Sequence, residues 1–316
     1  MVEKIATRET YGKVLAELGE THPEIVVLDA DLSGSTKTSV FAKKFPDRFF
    51  QMGIAEANMM CVAAGLALSG KIAFVSSFAL FATGRVWEQI RNTIAYSNTN
   101  VRIAASHAGV SVGADGASHQ SIEDIAIMRA IPHMTVVVPA DAVETEKVIR
   151  ASLEWYGPMY IRLGRAKMPV IIDKDAPFEL GKAYFLRRGK DATIIACGQM
   201  VYESIQAAIK LEEEGINVSV VNMSTVKPLD VESLKIAYKE TGAIVTAEEH
   251  SVIGGLGSAV AEEVVRRFSC PVEMIGIKDV FGQSGEPEEL FEVFSLKPRH
   301  IADAVKKVIQ RKRKKV

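Results

Sequence analysis

Cysteine is scarce: three in 316 residues, Cys61, Cys197 and Cys270, widely spaced and without a C-x-x-C pair. That excludes a disulfide framework and a zinc signature, and matches cytosolic cysteine usage. Net charge is nearly absent too, with 38 Lys and Arg against 39 Asp and Glu, a balance of -1. Nucleic-acid binders carry a basic footprint, so that class is disfavoured. The N-terminus, MVEKIATRETYGKVL, lacks an apolar signal core. No uninterrupted apolar run is long enough for a bilayer. The nearest, CVAAGLALSGKIAFVSSFALFA at 61–82, is broken by Gly65, by SGK at 69–71 and by SS at 76–77. A buried helix, a turn and a buried strand explain it better, and we expect a cytoplasmic protein without membrane contact. The one excess of charge is KKVIQRKRKKV at 306–316. It reads as a basic helix end in water, with docking to an acidic partner or nucleic acid as the alternative.

What is present is apolar residue in strand-length runs, 48% of the chain overall. The length suits two cores. Runs at 24–30, 71–77, 101–106, 134–139 and 159–164 do not alternate, as strands covered on both faces do not. Helical periods fall between them at 8–19, 55–69, 84–96, 122–130 and 142–154. Asp141 with Glu144, and Ser121 with Asp124, read as start signals for the last two. Residues 173–190, rich in proline, glycine and mixed charge, read as a linker. A second series follows: strands at 192–197, 216–223, 243–249 and 272–277, with helices at 201–214, 230–240 and 256–268 and two more to close the chain. This alternation predicts an α/β protein of two doubly wound domains, 1–172 and 191–316. Ligands of such sheets sit outside the carboxyl ends of the strands.

At one such end lies HAGVSVGADGASHQ, 107–120, with His107, Asp115 and His119 among three glycines. The histidines are twelve residues apart, without the close pairing that zinc sites favour. The loop could offer backbone N–H groups to an anion, or be merely structural; two histidines and an aspartate together favour polar substrate recognition. Glu56 opens a helix of small residues that we expect to be buried on most faces. There it either complements the helix N-terminus or, desolvated, serves as a proton-sharing acid. Phe78 and Phe81 read as core or as an aromatic slot for a flat heterocycle. GGLGS at 254–258 has Val260 where G-x-G-x-x-G needs its third glycine, so a dinucleotide turn is a weak reading.

Six segments together resemble the thiamine-diphosphate enzymes of the transketolase family along almost the whole chain. They are IATRETYG (5–12), DADLSGS (29–35), FFQMGIAEANM (49–59), SSFALFATGR (76–85), HAGVSVGADGASHQSIED (107–124) and IRLGRAKMP (161–169). The resemblance implies a pyrimidine-binding domain followed by a transketolase C-terminal-like domain. It implies that Glu56 is the catalytic glutamate sharing a proton with the cofactor's aminopyrimidine, a task suited to a desolvated carboxylate. Phe78 and Phe81 would stack that ring, with Gly84 where a third aromatic often stands, and Asp31 would lie near the cofactor at a subunit interface. His119 and Asp115 would read hydroxyls near the reacting carbons. Arg8, Ser35, His107 and Arg165 would grip a terminal phosphate, for which guanidinium groups are well shaped. The family's GDG…N motif for diphosphate and Mg²⁺ is absent from the sequence. The expectation is therefore the C-terminal subunit of a split transketolase acting on sugar phosphates. Its partner would be an N-terminal subunit carrying the Mg²⁺ ligands, in a two-plus-two heterotetramer. A subunit or fragment of 1-deoxyxylulose-5-phosphate synthase, or of a 2-oxo acid dehydrogenase, and a non-catalytic binding subunit are the alternatives.

Overall fold

In a computed structural model, which describes residues 3–314, the apolar runs of the first half become the parallel strands of one sheet. It has seven strands, in the order Thr225–Lys227, Thr135–Val137, Met159–Arg162, Val101–Ala105, Ile72–Ser76, Ile25–Asp29 and Phe49–Gln51. Every residue of Ile25–Asp29, Ile72–Ser76 and Val101–Ala105 is buried, which is why these runs do not alternate. From Ile25–Asp29 the chain steps to Phe49–Gln51 on one side, then returns to Ile72–Ser76 on the other. The strand order thus reverses at Ile25–Asp29, and the crevice outside the carboxyl ends there is the favoured ligand position. The loops at 30–38, 77–85 and 106–121 surround it.

The second sheet has five strands, in the order Val272–Ile277, Ile244–Ser251, Ala192–Ala196, Val218–Asn222 and Tyr184–Arg187. The last is antiparallel and lies within the stretch read as linker. Its hydrophobic run, YFL, was masked by the charges and glycines on either side. The seven-stranded sheet also takes its antiparallel edge, Thr225–Lys227, from the second half. Lys227 anchors that edge by donating to the carbonyls of Arg129 (2.8 Å) and Ile131 (2.5 Å).

The 61–82 stretch is the end of helix Glu56–Leu68, a turn, strand Ile72–Ser76 and the start of helix Ala79–Thr83. Among the described residues no helix is long and apolar enough to cross a membrane. The expectation that helix Glu56–Leu68 is buried on most faces is overturned. Ala57, Asn58, Cys61, Gly65 and Leu68 are exposed, Leu68 by 71%, and Ile54, just before the helix, is 77% exposed. A helix that is apolar all round carries no periodic signal for the face it packs. The expected helix 84–96 is instead Ala79–Thr83, Trp87–Gln89 and an i→i+5 turn over Ile90–Ala95, although Val86, Ile90 and Ile94 are all buried.

The two start signals have different fates. Asp141 accepts from the Glu144 amide at 2.9 Å, as an N-cap should. Ser121 does not cap this helix: it begins at Asp124, whose carboxylate turns inward to Arg162 and Tyr160. In GGLGS the amides of Leu256 and Gly257 donate to Glu248 at 2.7 Å each. The donors a dinucleotide would need are taken by the protein's own carboxylate. At the basic end of helix Pro298–Arg313, Lys306 pairs with Glu214, Lys307 and Arg311 pair with Glu273, and Lys312 donates to the Thr241 carbonyl. Lys315 and Val316, the end of the basic tail, lie outside the described residues.

Candidate functional site

Asp29, at the carboxyl end of its strand, organises the first loop of the crevice. Its buried carboxylate accepts from the Leu32 amide (2.7 Å) and from the hydroxyls of Thr36 (2.7 Å) and Thr38 (2.8 Å). This fixes the single turn Ser33–Thr36 and with it Ser35. Arg8, in the first turn of helix Thr7–Thr21, donates to the Ser35 carbonyl at 2.7 Å. Its Nε is buried with no hydrogen-bond partner among the described residues. Asp31 has a left-handed backbone, φ 61, held by its amide donating to Gln51 Oε1 at 2.7 Å, and it is exposed at the rim.

The loop at 106–121 crosses the same opening. His107 is buried and left-handed, with Ser106 Oγ 2.9 Å from its Nδ1. Its imidazole stacks on Phe78, with centroids 3.8 Å apart. Burial first, then the charges of Arg8 and Arg165 and the nearby His119, push its pKa down to about 3. It is therefore neutral at ordinary pH. Arg165 donates to the Val112 carbonyl (2.5 Å) and meets Asp115 Oδ1 at 3.4 Å. Arg8, Ser35, His107 and Arg165, scattered in sequence, thus converge; Asp115 joins them through Arg165.

The three glycines of this loop do not present an anion cradle. The amides of Gly109, Gly113 and Gly116 bond Ser121, Val110 and Gly113 carbonyls within the loop, at 2.8, 3.0 and 3.1 Å. What requires glycine at 109 is the other half of the chain. Its φ is +79, and a Cβ there would lie 2.3 Å from the Glu249 carboxyl group. Glu249 Oε1 accepts the Ser111 amide at 2.5 Å, and Gln120 reaches the Gln283 carbonyl at 2.9 Å. The loop is clamped from beneath by the second domain while its histidines face the crevice.

Beside them are the flat rings of the candidate slot. Phe78 and Phe81 lie nearly parallel, with centroids 6.0 Å apart, and His119 sets its edge against Phe81 at 5.4 Å. Phe78 is mostly core and Phe81 is partly open. Glu56, 3% exposed at the start of helix Glu56–Leu68, is the acid of the slot. Its partner, missed in the sequence, is Arg85, whose Nη1 donates to Oε1 at 2.8 Å. A contact path therefore runs from Glu56 through Arg85, Phe81 and His119 to Phe78 and His107. A half-open aromatic face beside a buried carboxylate fits a flat heterocycle bearing nitrogen donors and acceptors.

Sequence reasoning also missed the buried cluster behind the loop. Arg162 holds Asp124 with Nε at 2.7 Å and Nη2 at 3.2 Å, and Tyr160 donates to the same carboxylate at 2.5 Å. Arg162 Nη2 also reaches the carbonyls of Ser121 and Glu249, one in each half of the chain. The available signal was an arginine inside an apolar strand run, which demands a partner.

The family "Transketolase, pyrimidine binding domain" matches residues 3–170, and "Transketolase, C-terminal domain" matches 181–301. The chain is 50% identical, over 94% of both lengths, to a transketolase C-terminal section of Methanocaldococcus jannaschii. It is 43% identical, over 96% of its own length and 95% of the other, to a 6-deoxy-6-sulfo-D-fructose transketolase subunit of a Clostridium species. Human transketolase is 38% identical over 97% of this chain, which spans 49% of that protein. A split-gene transketolase solved as an inactive β4 tetramer superposes with a TM-score of 0.90 at 53% identity, covering 98% of this chain and all of the other.

Proposed function

Because this chain belongs to the transketolase family, corresponding to its C-terminal section, we propose that it is one subunit of a two-chain transketolase that moves a two-carbon ketol unit between sugar phosphates. Residues 1–172 would be the pyrimidine-binding domain and 191–316 the C-terminal domain, joined by 173–190. The carrying observation is the juxtaposition of the flat slot at Glu56, Phe78 and Phe81 with the basic cluster of Arg8, His107 and Arg165. Thiamine diphosphate would supply, when bound, the nucleophilic carbon that takes up and hands on the ketol unit.

This chain's residues have separable tasks. Glu56 holds or shares a proton at the ring nitrogen from a buried position; Phe78 and Phe81 orient the ring. His119 and Asp115, at the mouth, bond hydroxyls near the reacting carbons. Arg8, Arg165, neutral His107 and the Ser35 segment grip the terminal anion, with Arg8 Nε a donor without an acceptor among the described residues. Asp31 stands at the rim where a second chain would approach. Diphosphate and Mg²⁺ fall to an N-terminal subunit, whose docking and this chain's self-association would cover the open apolar side of helix Glu56–Leu68. Two of each subunit would assemble, in the cytoplasm.

Relatives named for apulose-4-phosphate and 6-deoxy-6-sulfo-D-fructose are 42% and 43% identical. Sulfonate and phosphate share the anionic terminus the cluster is built to hold. The test is native co-purification followed by ketol transfer from xylulose 5-phosphate to ribose 5-phosphate, with thiamine diphosphate and Mg²⁺. A co-purifying chain carrying GDG…N, and turnover only by the mixture, is expected. A chain that turns over alone refutes the division of labour; undiminished turnover in a Glu56→Ala assembly refutes the assignment of Glu56.

A further inference from the structure

Glu56 and Phe81 share one neighbour. Arg85 donates from Nη1 to Glu56 at 2.8 Å while its guanidinium carbon lies 4.2 Å from the Phe81 ring centroid. Its side chain is 48% exposed, so one edge is committed to the carboxylate and the rest borders the opening. Gly84, the residue before it, has no side chain with which to cover that ring. A guanidinium is planar and stacks on aromatic faces as a ring would, and unlike a ring it also brings a positive charge.

Glu56 needs that charge. It is almost wholly withdrawn from water, and Arg85 is the hydrogen-bond partner of its side chain among the described residues. A carboxylate buried without a partner is strongly disfavoured and would take up a proton or swing out. Arg85 is itself held in place twice, by the ion pair and by the face of Phe81. Glu56, Phe81 and Arg85 thus fix one another across three segments, the start of helix Glu56–Leu68, helix Ala79–Thr83 and the turn after it.

We infer that Arg85 is a wall of the flat-ring slot and the positioning residue for Glu56, binding the ring of thiamine diphosphate by its plane and aiming the carboxylate by its charge. This rests on the reading of the slot given above. The two roles separate chemically. Arg85→Lys keeps the charge and loses the plane, Arg85→Tyr keeps the plane and loses the charge, and Arg85→Ala loses both.

The experiment is calorimetric titration of thiamine diphosphate, with Mg²⁺ present, into the assembled two-chain complex, with thermal midpoints recorded for each variant. Arg85→Ala weakens binding by about 10–100-fold, the loss of one stacking contact and one charge-assisted hydrogen bond. Lys and Tyr each restore part of it, which a defect in folding alone would not allow. A wild-type complex that binds, with an Ala variant binding as tightly or more tightly, overturns the inference and leaves the reading of the slot standing. A wild-type complex that does not bind overturns both.

Discussion

Replacing Arg162 with methionine tests how much one buried charge pair of the first half, tied to the second half through the Glu249 carbonyl, contributes to stability. Asp124 is fully buried and Arg162 is nearly so. In Arg162→Met, Asp124 keeps the Tyr160 hydroxyl at 2.5 Å but loses the guanidinium. Breaking a buried pair from one side costs about 3–5 kcal/mol, because an uncompensated charge remains. The carbonyls of Ser121 and Glu249 also lose a donor, at about 1 kcal/mol each. With a urea m-value of about 3 kcal/mol/M, the pair alone lowers the midpoint by about 1–1.7 M. Asp124→Leu with Arg162→Met should recover most of the loss, since two apolar side chains leave no orphaned charge. The acid limb gives a second readout. Burial pushes the Asp124 pKa up, but the Arg162 charge and hydrogen bonds hold it below its ordinary 3.8. Its contribution is therefore present above about pH 4 and lost as pH falls through the depressed value. The assay is urea unfolding followed by far-UV circular dichroism and tryptophan fluorescence, at neutral and acidic pH. A single-variant loss below about 1 kcal/mol, or a double variant equal to the sum of the singles, refutes the reasoning.

Gly109→Ala must place a Cβ 2.3 Å from the Glu249 carboxyl group at a φ of +79, and we expect a loss of about 1–3 kcal/mol in the same unfolding assay. Adding Glu249→Ala should relieve part of it; no relief would mean the backbone conformation alone is at fault. Burial pushes the Glu203 pKa up to about 7 from 4.5, Lys297 opposing and Glu288 adding to it. The folded state then binds the extra proton, so this contribution is full below pH 4.5 and lost as pH rises through about 7. Glu203→Gln should flatten stability between pH 5 and 8, and an unchanged pH slope would contradict it. Gly65→Asp puts a charge on the open side of helix Glu56–Leu68, where a Cβ meets nothing within 4 Å. The chain should keep its circular dichroism spectrum and sediment as a smaller species; wild-type sedimentation would show that the face stays uncovered.

The chemistry of the site was legible because it is written in residue types that cost something to place. A glutamate entering a nearly all-apolar helix, and two histidines and an aspartate among glycines, each stand out from what packing alone needs, whereas Phe78 and Phe81 also read as core. Glu56 is buried as expected, and Arg8, Ser35, His107 and Arg165 do converge. Asp31 and Asp115 lie nearer the surface, at the rim.

The local pattern by itself determined most of the parallel strands and most helices, because continuous burial and a 3.6-residue period leave direct marks on which residues are apolar. It could not determine partnerships. Asp124 has the spacing of a helix cap and instead pairs with Arg162, because an arginine in a buried strand is a stronger claim on a carboxylate than a nearby amide. The glycines of the histidine loop look like an anion cradle, yet Gly109 is there for the close approach of Glu249, and Gly113 and Gly116 lie against Gly285 and Ser284. Strand Thr225–Lys227 crosses into the other half's sheet, an edge that no short-range periodicity encodes. Arg85 covers the ring that Gly84 leaves bare, which only the turn after Thr83 decides. Elements follow from neighbours along the chain; the site follows from which buried charge meets which, and that exists only once distant segments of the first half, Glu56 with Arg85 and Asp124 with Arg162, are packed together.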